Sequence, residues 1–168
     1  IQGGEGRGTR VYLIGFMDDH SRYMVSWGLY AGQSGKLVLE VLRRGLSRYG
    51  RPREILTDNG RQYKSWHGDT EFQKELNREG IRHITSRPHH PQTCGKIEAF
   101  HRNLQRELID KEFFISMEQA VERIARYIDH YNYGRPHQAL DGFTPSDRYF
   151  SVIEAVRKYM ADFRTAKN

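Results

Sequence analysis

The period of the apolar positions changes several times along the chain, and each change predicts an element. VYLIGFM, residues 11 to 17, is an unbroken apolar run that ends at the polar DDHSR, and RYMVSWGLY, 22 to 30, is a second run. Two such runs around a short polar turn predict a β-hairpin. From 34 to 49 the period lengthens: Leu37, Val38, Val41, Leu42 and Leu46 keep helical spacing until Gly50 and Pro52 stop it. REILT, 53 to 57, reads as a short buried strand ending in Asp-Asn-Gly. Residues 69 to 79 predict a helix built on Phe72 and Leu76 and closed by Gly80, and IRHIT, 81 to 85, predicts a further strand. A Pro- and His-rich loop, 86 to 94, follows. Gly95 to about Ile109 is expected to be helical, with Ile97, Phe100, Leu104 and Leu108 as its stripe. Ser116 and Gln119 have the spacing of a capping box. The helix they open is expected to turn Met117, Val121, Ile124, Ile128 and Tyr131 inward, and a last helix is expected from Pro145 to about Phe163.

Hairpin strands first, then strands alternating with helices, predict an α/β fold: a mixed sheet with helices packed against it. The opening IQGGEGRGTR has four glycines in its first eight residues and reads as a loop. Such loops usually join two strands, so the pattern points to a further strand before Ile1. Residues 1–150 read as one domain and 151–168 as a C-terminal helical extension.

Composition narrows the class. The 168 residues suffice for one sizeable core, and an aromatic fraction of 12% is not that of a disordered chain. Lys and Arg number 27 against 21 Asp and Glu, a net charge of +6. That favours an anionic partner, nucleic acid before an acidic membrane surface. The single cysteine, Cys94, excludes an intrachain disulfide and a multi-cysteine zinc site. The longest apolar run is far too short to span a membrane. No signal peptide is visible, so a soluble protein of a reducing compartment is the expectation.

Candidate chemistry centres on two carboxylates. In RPHHPQTCGKIEAFHR, 87 to 102, Glu98 is the one acid among basic side chains. Asp58 stands at the carboxyl end of the strand REILT. Read singly, Asp58 is a turn residue in Asp-Asn-Gly. Glu98, read singly, is a solvated carboxylate near a helix start, with His101, Arg102 and Gln105 at i+3, i+4 and i+7. Read together, they are two oxygen donors beside a basic loop. Mg²⁺ prefers oxygen ligands and often takes one or two carboxylates plus waters and substrate phosphate. Two such ions, about 3.5–4 Å apart, activate an attacking oxygen and stabilise a leaving one. The neighbouring Lys and Arg would hold a DNA backbone and offset its repulsion from the acids.

Three stretches then become recognisable: LTDNGRQY (56 to 63), RPHHPQTCGKIEAFHRNLQREL (87 to 108) and YNYGRPHQALDGFTPSDRY (131 to 149). With VYLIGFMDDHSRYMVSWGL (11 to 29), they resemble the integrase core of DDE transposases and retroviral-type integrases, above all bacterial insertion-sequence transposases. The resemblance implies a ribonuclease H-like fold with a mixed five-stranded sheet whose first strand lies upstream of Ile1. It implies polynucleotidyl transfer with two Mg²⁺ or Mn²⁺ ions: water nicks donor DNA, and the freed 3′-hydroxyl attacks target DNA. Asp58 corresponds to the second acidic ligand and Glu98 to the third, the first lying on the upstream strand. Gln92 and Lys96 would flank the cleft, and Arg87, His89, His90, Arg102 and Arg106 would lie along the DNA. The implied partners are transposon ends, target DNA and further copies of the chain, with no membrane, in the bacterial cytoplasm at the nucleoid.

Some residues depart from the pattern or stand outside it. Asp58 and Glu98 have 39 residues between them, a few more than usual for the family, with the surplus in KSWHGDT, 64 to 70. Cys94 stands where relatives commonly carry Asn. Asp18 is expected to shape the DDHSR turn, and Trp27, Tyr127 and Tyr131 to be core. Arg135, Pro136 and His137 match a family motif to which the sequence alone gives no physical role. The rival readings are a non-catalytic DNA-binding or oligomerisation domain and a ribonuclease H-type nuclease.

Overall fold

A computed structural model of the chain describes residues 10–58, 60, 63, 68–85, 95–152, 154, 155 and 157–159. The two apolar runs form an antiparallel hairpin, β1 (Tyr12–Met17) and β2 (Met24–Tyr30), in register from Tyr12 opposite Tyr30 to Met17 opposite Met24. Asp18 builds the turn, as expected. Its Oδ2 accepts from the backbone N–H of Ser21 at 2.7 Å and from the Ser21 hydroxyl at 2.6 Å. Arg22 completes the reversal in the left-handed region, with φ 65°.

Helix α1 (Gly35–Tyr49) starts where the Ser34 hydroxyl accepts from the Leu37 N–H, and it ends at Gly50, φ 83°. β3 (Glu54–Thr57) and β4 (Arg82–Thr85) pair in parallel, Glu54 beside Arg82 and Thr57 beside Thr85. A parallel pair needs a crossover, and α2 (Glu71–Arg78) supplies it. Thr70 and Gln73 cap α2 reciprocally through side chain and backbone.

The four described strands form two separate pairs rather than one continuous sheet. Among the described residues no ladder joins β1 to β3, so each presents one unpaired edge. What unites the pairs is α1. Ile14 of β1 and Ile55 of β3 belong to one buried cluster with Val38, Val41 and Leu42 of α1 and Phe72 and Leu76 of α2.

A second core lies against the hairpin. α3 (Gly95–Leu104) runs into a π-helical turn, Gln105–Ile109, and α4 (Met117–Asp129) runs into another, His130–Gly134. Phe100, Leu104, Ile124, Ile128 and Tyr131 close on Met24 and Leu29, with Trp27 and Tyr127 packed at the margin. All three aromatics expected in the core are therefore there. Val121 is not on the inward face: it is 37% exposed, because the buried stripe of α4 runs through Ala120, Ile124 and Ile128. One residue along a helix is a rotation of about 100°, which carries Val121 off that stripe. Ser116 caps α4 as expected, but the Gln119 side chain accepts from the Ile115 N–H, so the return half of the box sits one residue earlier.

The helix expected to run unbroken from Pro145 is interrupted. α5 (Pro145–Tyr149) stops, and Ser151 takes φ 56°, which breaks the ladder before the described residues from 152 to 159 resume a helical path. Tyr149 stacks on Tyr23 at 4.6 Å between centroids, while the Tyr23 hydroxyl meets those of Tyr49 and Tyr133. One tyrosine cluster thus joins the hairpin, α1, the second π turn and α5.

The buried Asn132 fixes the second π turn to the hairpin. Its Oδ1 accepts from the Met24 N–H at 2.9 Å, and its Nδ2 donates to the Met24 carbonyl at 3.1 Å. The amide thus serves the backbone of β2 as a neighbouring strand would. Asn132→Ala would strand two buried backbone groups and is expected to cost about 2–4 kcal/mol in chemical denaturation. A loss under about 0.5 kcal/mol would show that Met24 finds other partners.

Candidate active site

Asp58 is the first residue beyond β3. The strand pair sets its backbone: the buried Thr57 hydroxyl lies 2.9 Å from the His83 ring nitrogen on β4 and 3.0 Å from the Asp58 carbonyl. The Asp58 side chain is exposed, and its Oδ1 accepts from the Gly60 N–H at 2.9 Å. That bond is the turn chemistry of Asp-Asn-Gly. It occupies one carboxylate oxygen, and among the described residues Oδ2 has no partner. The turn and ligand readings of Asp58 are therefore compatible.

Glu98 lies in the first turn of α3. Phe100 and Leu104 pin the opposite side of the helix into the core, which leaves Glu98 exposed. Three other helical acids pair with a cation one turn on, Glu40 with Arg44, Glu71 with Lys74 and Glu122 with Arg126, whereas Glu118 and Asp129 of α4 form no ion pair among the described residues. Glu98 has Arg102 at i+4, yet no ion pair forms between them, and among the described residues Glu98 has no other. Nor does a direct hydrogen bond join Glu98 to Asp58. Among the described residues no group of three or more His, Cys, Asp or Glu gathers in a metal-binding cluster. Two uncommitted oxygen donors, on separate elements, are what this part of the chain offers a cation.

The basic residues divide. Lys96 Nζ is held by Asp19, 2.7 Å from its carbonyl and 2.8 Å from its carboxylate, which ties the start of α3 to the hairpin turn. Arg102 is exposed and unpaired among the described residues. Arg106, also exposed, bonds Asn103 and Glu107, each at 3.2 Å. Arg87, His89, His90, Gln92 and Cys94 lie outside the described residues.

Comparison with known proteins decides the family. Two sequence profiles, each described as an integrase core domain, match residues 2–91 and 79–145. The chain belongs to the integrase core domain family. It is 31% identical over 140 residues to the transposase for insertion sequence element IS904 of Lactococcus lactis, covering 82% of this chain and 54% of that protein. It is also 31% identical over 137 residues to the insertion element IS476 uncharacterized 39.2 kDa protein of Xanthomonas euvesicatoria, 82% of this chain and 38% of that protein. The chain thus spans about half the length, or less, of these curated relatives. Among solved structures, the HTLV-2 integrase catalytic core domain in complex with magnesium (dimeric form) superposes with a TM-score of 0.63 at 18% identity, over 88% of this chain and 90% of that one. The fold is therefore the ribonuclease H-like α/β fold of integrase cores. No helix among the described residues is long and apolar enough to cross a membrane.

This integrase core also contains a clamp that sequence reasoning missed. Arg135 grips Glu107 with both terminal nitrogens, at 2.6 and 3.1 Å, and the Tyr127 hydroxyl donates to the same carboxylate at 2.9 Å. The Arg135 hydrogen bonds outweigh the opposing effect of burial and hold the Glu107 carboxyl down at about 2. Burial, then the bond to Glu107, pushes the Tyr127 hydroxyl up. Next to the clamp, the His137 ring packs edge-on against Tyr131 at 4.8 Å, and the His137 N–H donates to the Phe143 carbonyl at 3.0 Å. So the Arg-Pro-His motif locks α3 and its π turn, which carry Glu98 and Glu107, against α4 and the loop that follows. The motif was visible in the sequence, but nothing there pointed to a partner 28 residues upstream.

A carboxyl held at about 2, below the ordinary 4.5, stabilises the fold fully above pH 4.5, and that contribution is lost as pH falls toward 2. Glu107→Gln is expected to cost about 2 kcal/mol at neutral pH, the scale of charged hydrogen bonds. The gap from wild type should shrink as unfolding is measured from pH 4.5 down to 2. A gap independent of pH would contradict the clamp.

Proposed function

We propose that the chain is the catalytic core of a bacterial transposase that moves DNA by polynucleotidyl transfer. It would nick the donor strand with water and join the freed 3′-hydroxyl to target DNA. The observation that carries this reading is that Asp58 and Glu98, the acids at the motif positions of an integrase core, are both exposed and both free of ion pairs among the described residues. Glu40, Glu71 and Glu122, by contrast, are each taken up by a cation on their own helix.

The donor set suits Mg²⁺ or Mn²⁺, two ions in the complete site. Carboxylate oxygens match a hard cation, and neither acid must break an ion pair to bind. The HTLV-2 core in complex with magnesium supports the same assignment. When bound, the ions supply an activated attacking oxygen and charge stabilisation of the leaving one. The protein does the positioning. The Gly60 N–H restrains the Asp58 carboxylate through Oδ1, leaving Oδ2 without a partner among the described residues. Arg102 and Arg106 offer cations along α3 and its π turn, and Lys96 extends the row toward the hairpin. In this reading Arg87, His89, His90 and Gln92, which lie outside the described residues, also contact DNA. The first acidic ligand belongs, in this reading, to a strand upstream of Ile1, seated between the unpaired edges of β1 and β3, which would join the two pairs into one five-stranded sheet. In this reading residues 1–150 are the core, and 151–168 are a helical extension. The active form is a dimer or larger assembly working at the nucleoid on transposon ends and target DNA.

In the protein that carries the upstream segment, Asp58→Asn and Glu98→Gln should each cut Mg²⁺-dependent strand transfer about a thousandfold or more. That is the scale expected when several kcal/mol of metal-borne stabilisation is lost. Thermal unfolding should stay near wild type. Full activity in either variant would refute the assignment, and hydrolysed DNA with no joined product would favour the nuclease reading.

A further inference from the structure

Most of the chain's positive charge lies away from the proposed site. Residues 35–53 hold six cations (Lys36, Arg43, Arg44, Arg48, Arg51, Arg53) and one acid (Glu40), a balance of +5 against +6 for the whole chain. The site segment 87–106 holds four Lys and Arg and one acid, a balance of +3. In the structure all six cations are exposed. α1 buries Val38, Val41 and Leu42 inward, and its exposed positions 36, 40, 43, 44, 47 and 48 recur on the opposite side. From Lys36 to Arg48 the exposed side of the helix runs about 18 Å at 1.5 Å per residue, the two side chains at opposite edges of an arc about 120° wide. That length is about five base-pair rises of 3.4 Å.

Two of the cations are spent within the fold. Arg44 pairs with Glu40, and Arg43 grips the buried Glu75 with two bonds of 2.8 Å. Lys36, Arg48, Arg51 and Arg53 have no acidic partner among the described residues. Arg51 donates only to the Glu79 carbonyl, at 3.1 Å, and Arg48 lies over the Tyr49 ring at 5.2 Å. All four are exposed.

We infer that the outer face of α1, continued by Arg51 and Arg53, is a second contact for duplex DNA, tracking its phosphates without reading bases. The inference rests on the DNA-handling function proposed above. The face fits DNA better than a protein or a membrane because the large exposed apolar side chains, Phe113, Ile115, Tyr133, Phe150 and Tyr159 among them, all lie on other elements. A protein interface needs an apolar core, which this face lacks. Arginine forks match phosphate oxygens in pairs. The contact is separate from the carboxylate site. Arg53 precedes β3 and Asp58 follows it, so they stand about 16 Å apart along the strand at 3.3 Å per residue. One phosphate cannot reach both, so the α1 face would hold a stretch of duplex away from the reacting bond.

The test is equilibrium binding of the full chain to a thirty-base-pair duplex, without metal, across a series of salt concentrations. Each lost phosphate contact lowers the slope of log K against log salt by about 0.9. Arg48→Gln/Arg53→Gln is expected to lower it by about 1.8, and Lys36→Gln, an independent change in the first turn of α1, by about 0.9. Asp58→Asn/Glu98→Gln should keep the loss in slope that the α1 substitutions cause. Wild-type slopes in folded Arg48→Gln/Arg53→Gln and Lys36→Gln would make the stripe a merely solvated helix face and overturn the inference, leaving the catalytic reading intact. Strand transfer surviving Asp58→Asn would instead remove the catalytic reading and leave the slopes to stand.

Discussion

The arrangement depends on one helix packing across two strand pairs that share no backbone hydrogen bond among the described residues. Val41, Phe72 and Leu76 have almost no exposed surface, and they seal α1 and α2 over Ile14 and Ile55. Among the described residues, hydrophobic burial rather than a continuous ladder sets where the end of β3 lies relative to the hairpin. Burying a residue of this size is worth about 1.5–3 kcal/mol, and several act together here. Asp58 inherits its place from that packing, because it follows β3 without an intervening residue.

Glu98 inherits its place from the other core. α3 is held on the hairpin by Phe100 and Leu104, and along its axis by the grip of Arg135 on Glu107. The two acids of the same helical stretch play opposite parts. Glu107 is clamped, strongly acidic and structural. Glu98 is exposed and uncommitted. In the proposed reading, Glu98 can take a cation without first breaking an internal ion pair.

Much of this was legible in the residues. Gly50, Gly80 and Ser116 marked helix ends because capping and left-handed geometry are local matters. Asp18 in its turn is local in the same way. The motifs around Asp58 and Glu98 were legible as a family pattern before any coordinates. Long-range pairings were not. No periodicity predicts that Asn132 serves Met24, that Arg135 finds Glu107, or that Lys96 reaches Asp19, since each depends on how distant elements dock. Val121 was misplaced because a helical stripe read from apolar residues alone cannot tell which of two adjacent positions meets the core. The break at Ser151 was missed because serine carries no strong signal for a left-handed backbone. The concentration of charge on α1 could be counted, but only the helix orientation turned it outward.

The central claim is that Asp58 and Glu98 bind a shared cation. The most direct measurement is a Mn²⁺ titration of the protein with its upstream segment, followed by water-proton relaxation, for wild type, Asp58→Asn, Glu98→Gln and the double variant. Ligands of one ion are coupled, so each single change should weaken binding by about tenfold or more, and the double change should add much less than the sum of the two. Strictly additive losses, or binding untouched by either single change, would contradict the account.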